Sequence, residues 1–122
     1  MASDATVVVV EVTSGSVLGD RVAVARSAAG RLRGLLGRRS LAPGTGLLLQ
    51  PCNGVHTVGM QFSIDVLFLD ADGLVLRSED SLPPGHFVPW VRRAKQALEL
   101  PAGTARAAGV VAGSRLRIEA VP

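Results

Sequence analysis

Residues 46–73 read GLLLQPCNGVHTVGMQFSIDVLFLDADG, and the fold turns on how these apolar runs pair. Two of them flank Asn53-Gly54, the dipeptide best suited to a type I′ turn, so Leu47–Gln50 and Val55–Met60 are predicted to form a hairpin. The third run, Ser63 to Asp70, is almost continuously apolar, which predicts a strand buried on both faces. Asp65 interrupts it between Ile64 and Val66. A carboxylate in such surroundings must find a partner or lose its charge.

Working outward, Thr6–Val12 reads as a strand of β-branched residues, followed by two short strands near 16–18 and 21–25. A helix is predicted near 27–36. Ser27 is its N-cap, Ala28, Leu32, Leu35 and Leu36 lie at helical spacing, and Gly37 takes the C′ position. Ala71-Asp72-Gly73 turns the Asp65 strand into another at Leu74–Ser78. Ser81–Trp90, SLPPGHFVPW, is a proline-rich loop carrying His86, Phe87 and Trp90. Gln96–Leu100 is a strand, a short helical turn follows near 103–108, and Arg115–Ala120 is the last strand. Seven to nine short strands with one covering helix suggest a mainly β, compact antiparallel sandwich or partly closed barrel.

A chain of 122 residues fits one domain, 1–122, able to bury a single core. Aromatic residues make up 3%, so Val, Leu and Ala must build that core. One cysteine permits no intrachain disulfide. The opening MASDATVVVVEV lacks a basic leader with a long apolar region, so a cytoplasmic protein is expected. No stretch reads as a transmembrane helix. The net charge of +3 is unevenly spread: residues 21–64 hold six arginines and no acid, whereas 65–80 hold five acids against Arg77. A basic face can serve an anionic partner. The lack of tyrosine, with every phenylalanine in apolar or proline-rich context, argues against a base-stacking platform and hence against nucleic acid.

The order RLRGLLGRRSL, GLLLQP, HTVGMQFSIDVLFLDADG, LELPAGT and GVVAGSRLRI resembles a prokaryotic family known only as domain-of-unknown-function family 192, over about residues 17–119. The resemblance implies a β-rich fold of sandwich type and no particular reaction, cofactor or substrate. It places the family's Arg-Gly-Leu element on Arg33, Gly34 and Leu35, and its basic pair on Arg38 and Arg39. Its central acid falls on Asp65, its hairpin Asp-Gly on Asp72 and Gly73, and its acidic strand residue on Glu99. Where many relatives carry Trp-Met-Lys-Asn-Thr, this chain has His56, Thr57, Val58, Gly59 and Met60.

Among candidate site residues Asp65 comes first. Its carboxylate is expected to be held by Arg33 or Arg31 from the helix, or by backbone N–H groups, and the ion pair Arg33–Asp65 is the structural reading. A perturbed carboxylate in a pocket is the functional one. Cys52 and His56 invite thiol or metal chemistry. In the expected hairpin, however, Cys52 pairs with Val55 and His56 with Pro51, which puts 52 and 56 on opposite faces. Zinc also needs three or four ligands, so neither metal nor cofactor is expected. A cleft is nominated between His56, Thr57, Met60 and Asp65 on one side and His86, Phe87 and Trp90 on the other, for a small molecule, glycan or peptide. The leading reading is a monomeric, non-enzymatic binding or accessory module. The alternatives are a small hydrolase or transferase using His56 and Asp65, and docking on an anionic partner through Arg26, Arg31, Arg38 and Arg39.

Overall fold

Alternation of small and branched apolar residues along 6–11, 45–49, 64–69 and 96–101 lets each strand pack on both sides of a sheet. The computed structural model, which describes residues 5–27, 30–31 and 34–121, shows how. Strands β1 (Thr6–Glu11), β2 (Val17–Ala25), β3 (Thr45–Leu49), β5 (Ile64–Leu69), β6 (Val75–Leu82), β8 (Gln96–Pro101) and β9 (Leu116–Ala120) form one sheet in the order β6-β5-β8-β3-β2-β1-β9. Strands β4 (Val55–His56) and β7 (Phe87–Val88) form a separate two-stranded ribbon. Helix α1 is the single turn Thr104–Ala107, within the 103–108 region where the sequence calls for one.

The sheet curls until its edges meet at one end. Register shifts in the β1–β2 and β5–β6 ladders mark irregularities of the kind that bend strands. Leu74, just before β6, bridges Arg115, just before β9, and Val75 N–H donates to Ser114 O while Leu116 N–H donates to Gly73 O, both at 2.8 Å. Gly73 (φ +89°) allows this closure, since a Cβ there would lie 2.2 Å from the Leu116 carbonyl oxygen. Asp70 Oδ1 shapes the same turn by accepting from Asp72 and Leu74 N–H at 2.9 Å each. The result is the partly closed barrel expected from the strand count.

Two apolar layers lie on the two faces of this sheet. Inside the curl are Val9, Val22, Leu48, Leu67, Leu69, Leu98 and Leu100 with Ala105 of α1. Outside it, Leu47, Leu49, Ile64, Val66 and Phe68 pack under Leu35 and Leu41, Met60, and Leu82, Val88 and Ala94. β5 is therefore buried along its whole length, as its composition demands. Each large side chain so enclosed contributes about 1.5–3 kcal/mol.

Three expectations need correction. Leu47–Gln50 and Val55–Met60 do not form a hairpin: β3 pairs with β2 and β8, and β4 pairs with β7 as Val55↔Val88 and His56↔Phe87. Gly54 is demanded by neighbours rather than by a turn, because a Cβ there would come within 2.9 Å of Val88 O and 3.1 Å of Trp90 N. The β2–β3 pair is parallel, which requires a long crossover, supplied by residues 26–44. Finally, 16–18 and 21–25 belong to one strand, β2. Of the helix expected near 27–36, residues 28, 29, 32 and 33 lie outside the described residues. Ser27 Oγ accepts from Gly30 N–H at 2.9 Å, and Gly34 N–H donates to Gly30 O at 2.9 Å, so Ser27 caps a helical turn.

Candidate functional site

Two acids stand in neighbouring central strands, and the alternation of each strand sends them to opposite faces. Asp65 pairs across from Leu100, and Glu99 from Val66. Asp65 points into the curl with Leu67 and Leu69; Glu99 points outward with Ala97.

Asp65 is fully buried and well supplied. Oδ1 accepts from Ser81 N–H at 2.8 Å and Gly103 N–H at 3.2 Å, and Oδ2 accepts from Ala105 N–H at 2.9 Å. The carboxylate thus clasps β6 and the start of α1 to β5. Of the holders expected, these are the backbone N–H groups; Arg33 lies outside the described residues, and Arg31 sends Nη1 to Arg26 O.

Glu99 is 4% exposed, and its Oε1 has no hydrogen-bond partner among the described residues. Its cross-strand neighbours, Leu47 on β3 and Val66 on β5, are apolar. Burial consequently pushes its carboxyl up to about 7. Beside it opens a cavity of about 370 Å³. The buried part of its lining is Leu35, Leu49, Met60 and Glu99; Arg31 and Cys52 are half-buried, and His56 is exposed. The 50–56 loop builds one wall because the cavity is where β3 leaves the sheet and the chain swings out to β4. Val91 N–H donates to Asn53 O at 2.6 Å and fastens this loop to the segment after β7.

Cys52 and His56 therefore line one cavity, contrary to the opposite faces that the hairpin would have given them. Burial raises the Cys52 thiol above its ordinary value; the Gly54 backbone and the Arg31 charge act against that rise, and the charge of Glu99 adds to it. Its Sγ donates to Gly54 O at 3.0 Å. A thiol held protonated in this way is not an activated nucleophile. Among the described residues no three His, Cys, Asp or Glu side chains are grouped so as to hold a metal ion.

The nominated cleft is brought together only in part. His56 and Met60 line the cavity. Thr57 is fully buried beside it as a strap, its Oγ1 donating to Pro83 O at 2.6 Å and accepting from His86 N–H at 2.9 Å. His86 is exposed, with Nδ1 within 3.2 Å of the Pro83 and Pro84 carbonyl oxygens. Phe87 stacks obliquely on His56 with ring centroids 5.8 Å apart, yet it is 70% exposed, and Trp90 is 82% exposed. Neither ring plugs the core. Asp65 is separated from the cavity by the sheet itself. Arg26, Arg38 and Arg39 are exposed. Glu99 is the residue that site reasoning passed over, although an acid set in QALELP is the same signal that drew attention to Asp65.

No helix among the described residues is long and apolar enough to cross a membrane. No curated protein matches the chain. Its backbone is similar to the crystal structure of a Sinorhizobium meliloti 1021 protein described as a candidate transcription regulator, with a TM-score of 0.81, 27% identity and 97% of each chain covered. It also shares the fold of a protein of unknown function from Novosphingobium aromaticivorans DSM 12444, with a TM-score of 0.78, 24% identity, and 92% of this chain and 83% of that one covered. The family model of domain-of-unknown-function family 192, described as an uncharacterised ACR, matches residues 8–118, and the chain belongs to that family.

Proposed function

We propose that this protein is a small-ligand binding or accessory module, folding as one domain, whose site is the cavity beside Glu99. One observation carries the reading: a nearly buried carboxylate oxygen lacks a donor among the described residues and belongs to the lining of a cavity. Leaving such a group unpaired costs about 1–3 kcal/mol, a cost that an incoming donor would relieve. The cavity volume falls within the usual range for small-molecule sites, and its walls combine apolar side chains with a few polar groups in the manner of such sites. The hydrolase reading loses its basis, since the Asp65 carboxylate is engaged by three backbone donors on the far side of the sheet from His56.

A thermal-shift screen of cationic, neutral and anionic small molecules tests this. At least one compound should raise the melting temperature in proportion to its affinity. Cys52→Phe, which fills the cavity from its wall, should abolish that rise while leaving the circular dichroism spectrum unchanged. Stabilisation that survives in folded Cys52→Phe would place the site elsewhere.

A further inference from the structure

Which ligand the cavity admits follows from what its walls offer and what they lack. Ionised, Glu99 can only accept hydrogen bonds, and its Oε1 receives none from the described residues. Among the described residues, the other titratable groups lining the same space are few. From the 50–56 loop come Cys52, whose S–H goes to Gly54 O, and the exposed His56. From the crossover comes Arg31, half-buried, with Nη1 on Arg26 O. Strand β3 adds Leu49 to the lining, and Leu47 and Val66 flank Glu99 across β3 and β5. Arg31 and Glu99 thus stand in one apolar-walled cavity with opposite charges, and they are not among the ion pairs of the described residues, which join Arg21–Asp20, Arg77–Glu79 and Arg117–Glu119.

We infer that the cavity takes a small zwitterion, its ammonium group against Glu99, its anionic group against Arg31, and its apolar body along Leu35, Leu49 and Met60. This deepens the binding reading above and rests on it. A lone amine would satisfy Glu99 but face the Arg31 guanidinium across a low-dielectric space. A lone carboxylate would satisfy Arg31 and be repelled by ionised Glu99. Only a molecule bearing both charges meets both walls, and an ammonium has the several donors that an acceptor-only group requires. Arg31 suits the anionic end because its planar fork of N–H groups grips a carboxylate in two places.

Calorimetric titration of the full chain at pH 8 separates the possibilities, using L-leucine and 6-aminohexanoate as zwitterions and hexylamine, hexanoate and 1-hexanol as single-feature controls. One of the two amino acids should bind at least about tenfold more tightly than every control. Glu99→Gln and Arg31→Gln should each weaken it by about tenfold or more. In Glu99→Gln the affinity for hexanoate should hold or improve. Hexanol or hexanoate binding as well as the amino acids would overturn the zwitterion while leaving the cavity as a binding site. Equal binding of the amino acids to wild type and folded Glu99→Gln would overturn it too. Binding of none of the five at about 10 mM would likewise dismiss this ligand class, and the wider screen with Cys52→Phe then judges the binding reading separately.

Discussion

Asp65 and Glu99 lie on adjacent strands, one register step apart, and both are almost completely enclosed, yet their circumstances are opposite. Asp65 has three backbone donors and locks pieces of the fold together. Glu99 has apolar neighbours, an oxygen without a partner among the described residues, and a cavity beside it. The first is an acid that the fold needs; the second is an acid that the fold tolerates. Burial alone does not mark a functional carboxylate. What distinguishes them is whether the described residues answer the charge.

The largest effect expected is on Asp65→Ala, which leaves the Ser81, Gly103 and Ala105 amides without their acceptor and should destabilise the protein by about 3–5 kcal/mol in denaturant unfolding. A loss below about 1 kcal/mol would show that water answers those amides as well as the carboxylate does. Glu99→Gln should act in the other direction. A carboxyl raised from 4.5 to about 7 in the folded protein favours folding when protonated. That stability is fully present below the unfolded value and is lost as the pH rises through about 7. Replacement by the neutral amide should therefore stabilise the protein by up to about 3 kcal/mol at pH 8 and by almost nothing at pH 4. Melting curves across that range check it, and a parallel pH dependence in both proteins would assign the titration to another group.

Smaller again is the pH dependence of binding. An ammonium ligand needs Glu99 ionised, so affinity for the amino acid should be about tenfold weaker at pH 6 than on the plateau above pH 8. Titrations at a series of pH values measure this directly, and an affinity that rises toward acid pH would point to a ligand accepting a hydrogen bond from protonated Glu99. The smallest effect belongs to the exposed rings. Phe87→Ser and Trp90→Ser should each change unfolding free energy by less than about 0.5 kcal/mol, because both side chains stand mostly in solvent.

What could be read from the residues was whatever depended on neighbours in the chain. The doubly buried β5, the Asp70–Gly73 turn and the Ser27 cap all announce themselves within a few positions. The hairpin expected at Asn53-Gly54 failed for the opposite reason. Gly54 answers to the 88–90 backbone, more than thirty positions away, and nothing local separates a glycine needed for a turn from one needed for close approach. That failure also misplaced Cys52 and His56, whose convergence follows from β4 pairing with β7. The two acids show the same limit. IDVLF and ALELP carry equal warnings, and which acid is answered depends on where distant amides fall: those of Ser81, Gly103 and Ala105 all lie on the Asp65 side.

The tie between Asn53 and Val91 has a practical corollary. The cavity wall and the turn that displays Trp90 are stitched together through Val91 N–H on Asn53 O and the tight seat of Gly54 against Trp90 N, so an occupant that displaces the 52–54 loop also shifts the indole. Since the chain holds one tryptophan and no tyrosine, ultraviolet emission excited beyond the phenylalanine band comes from that single ring. Under the binding proposal, that ring is the natural gauge of occupancy, legible without any label.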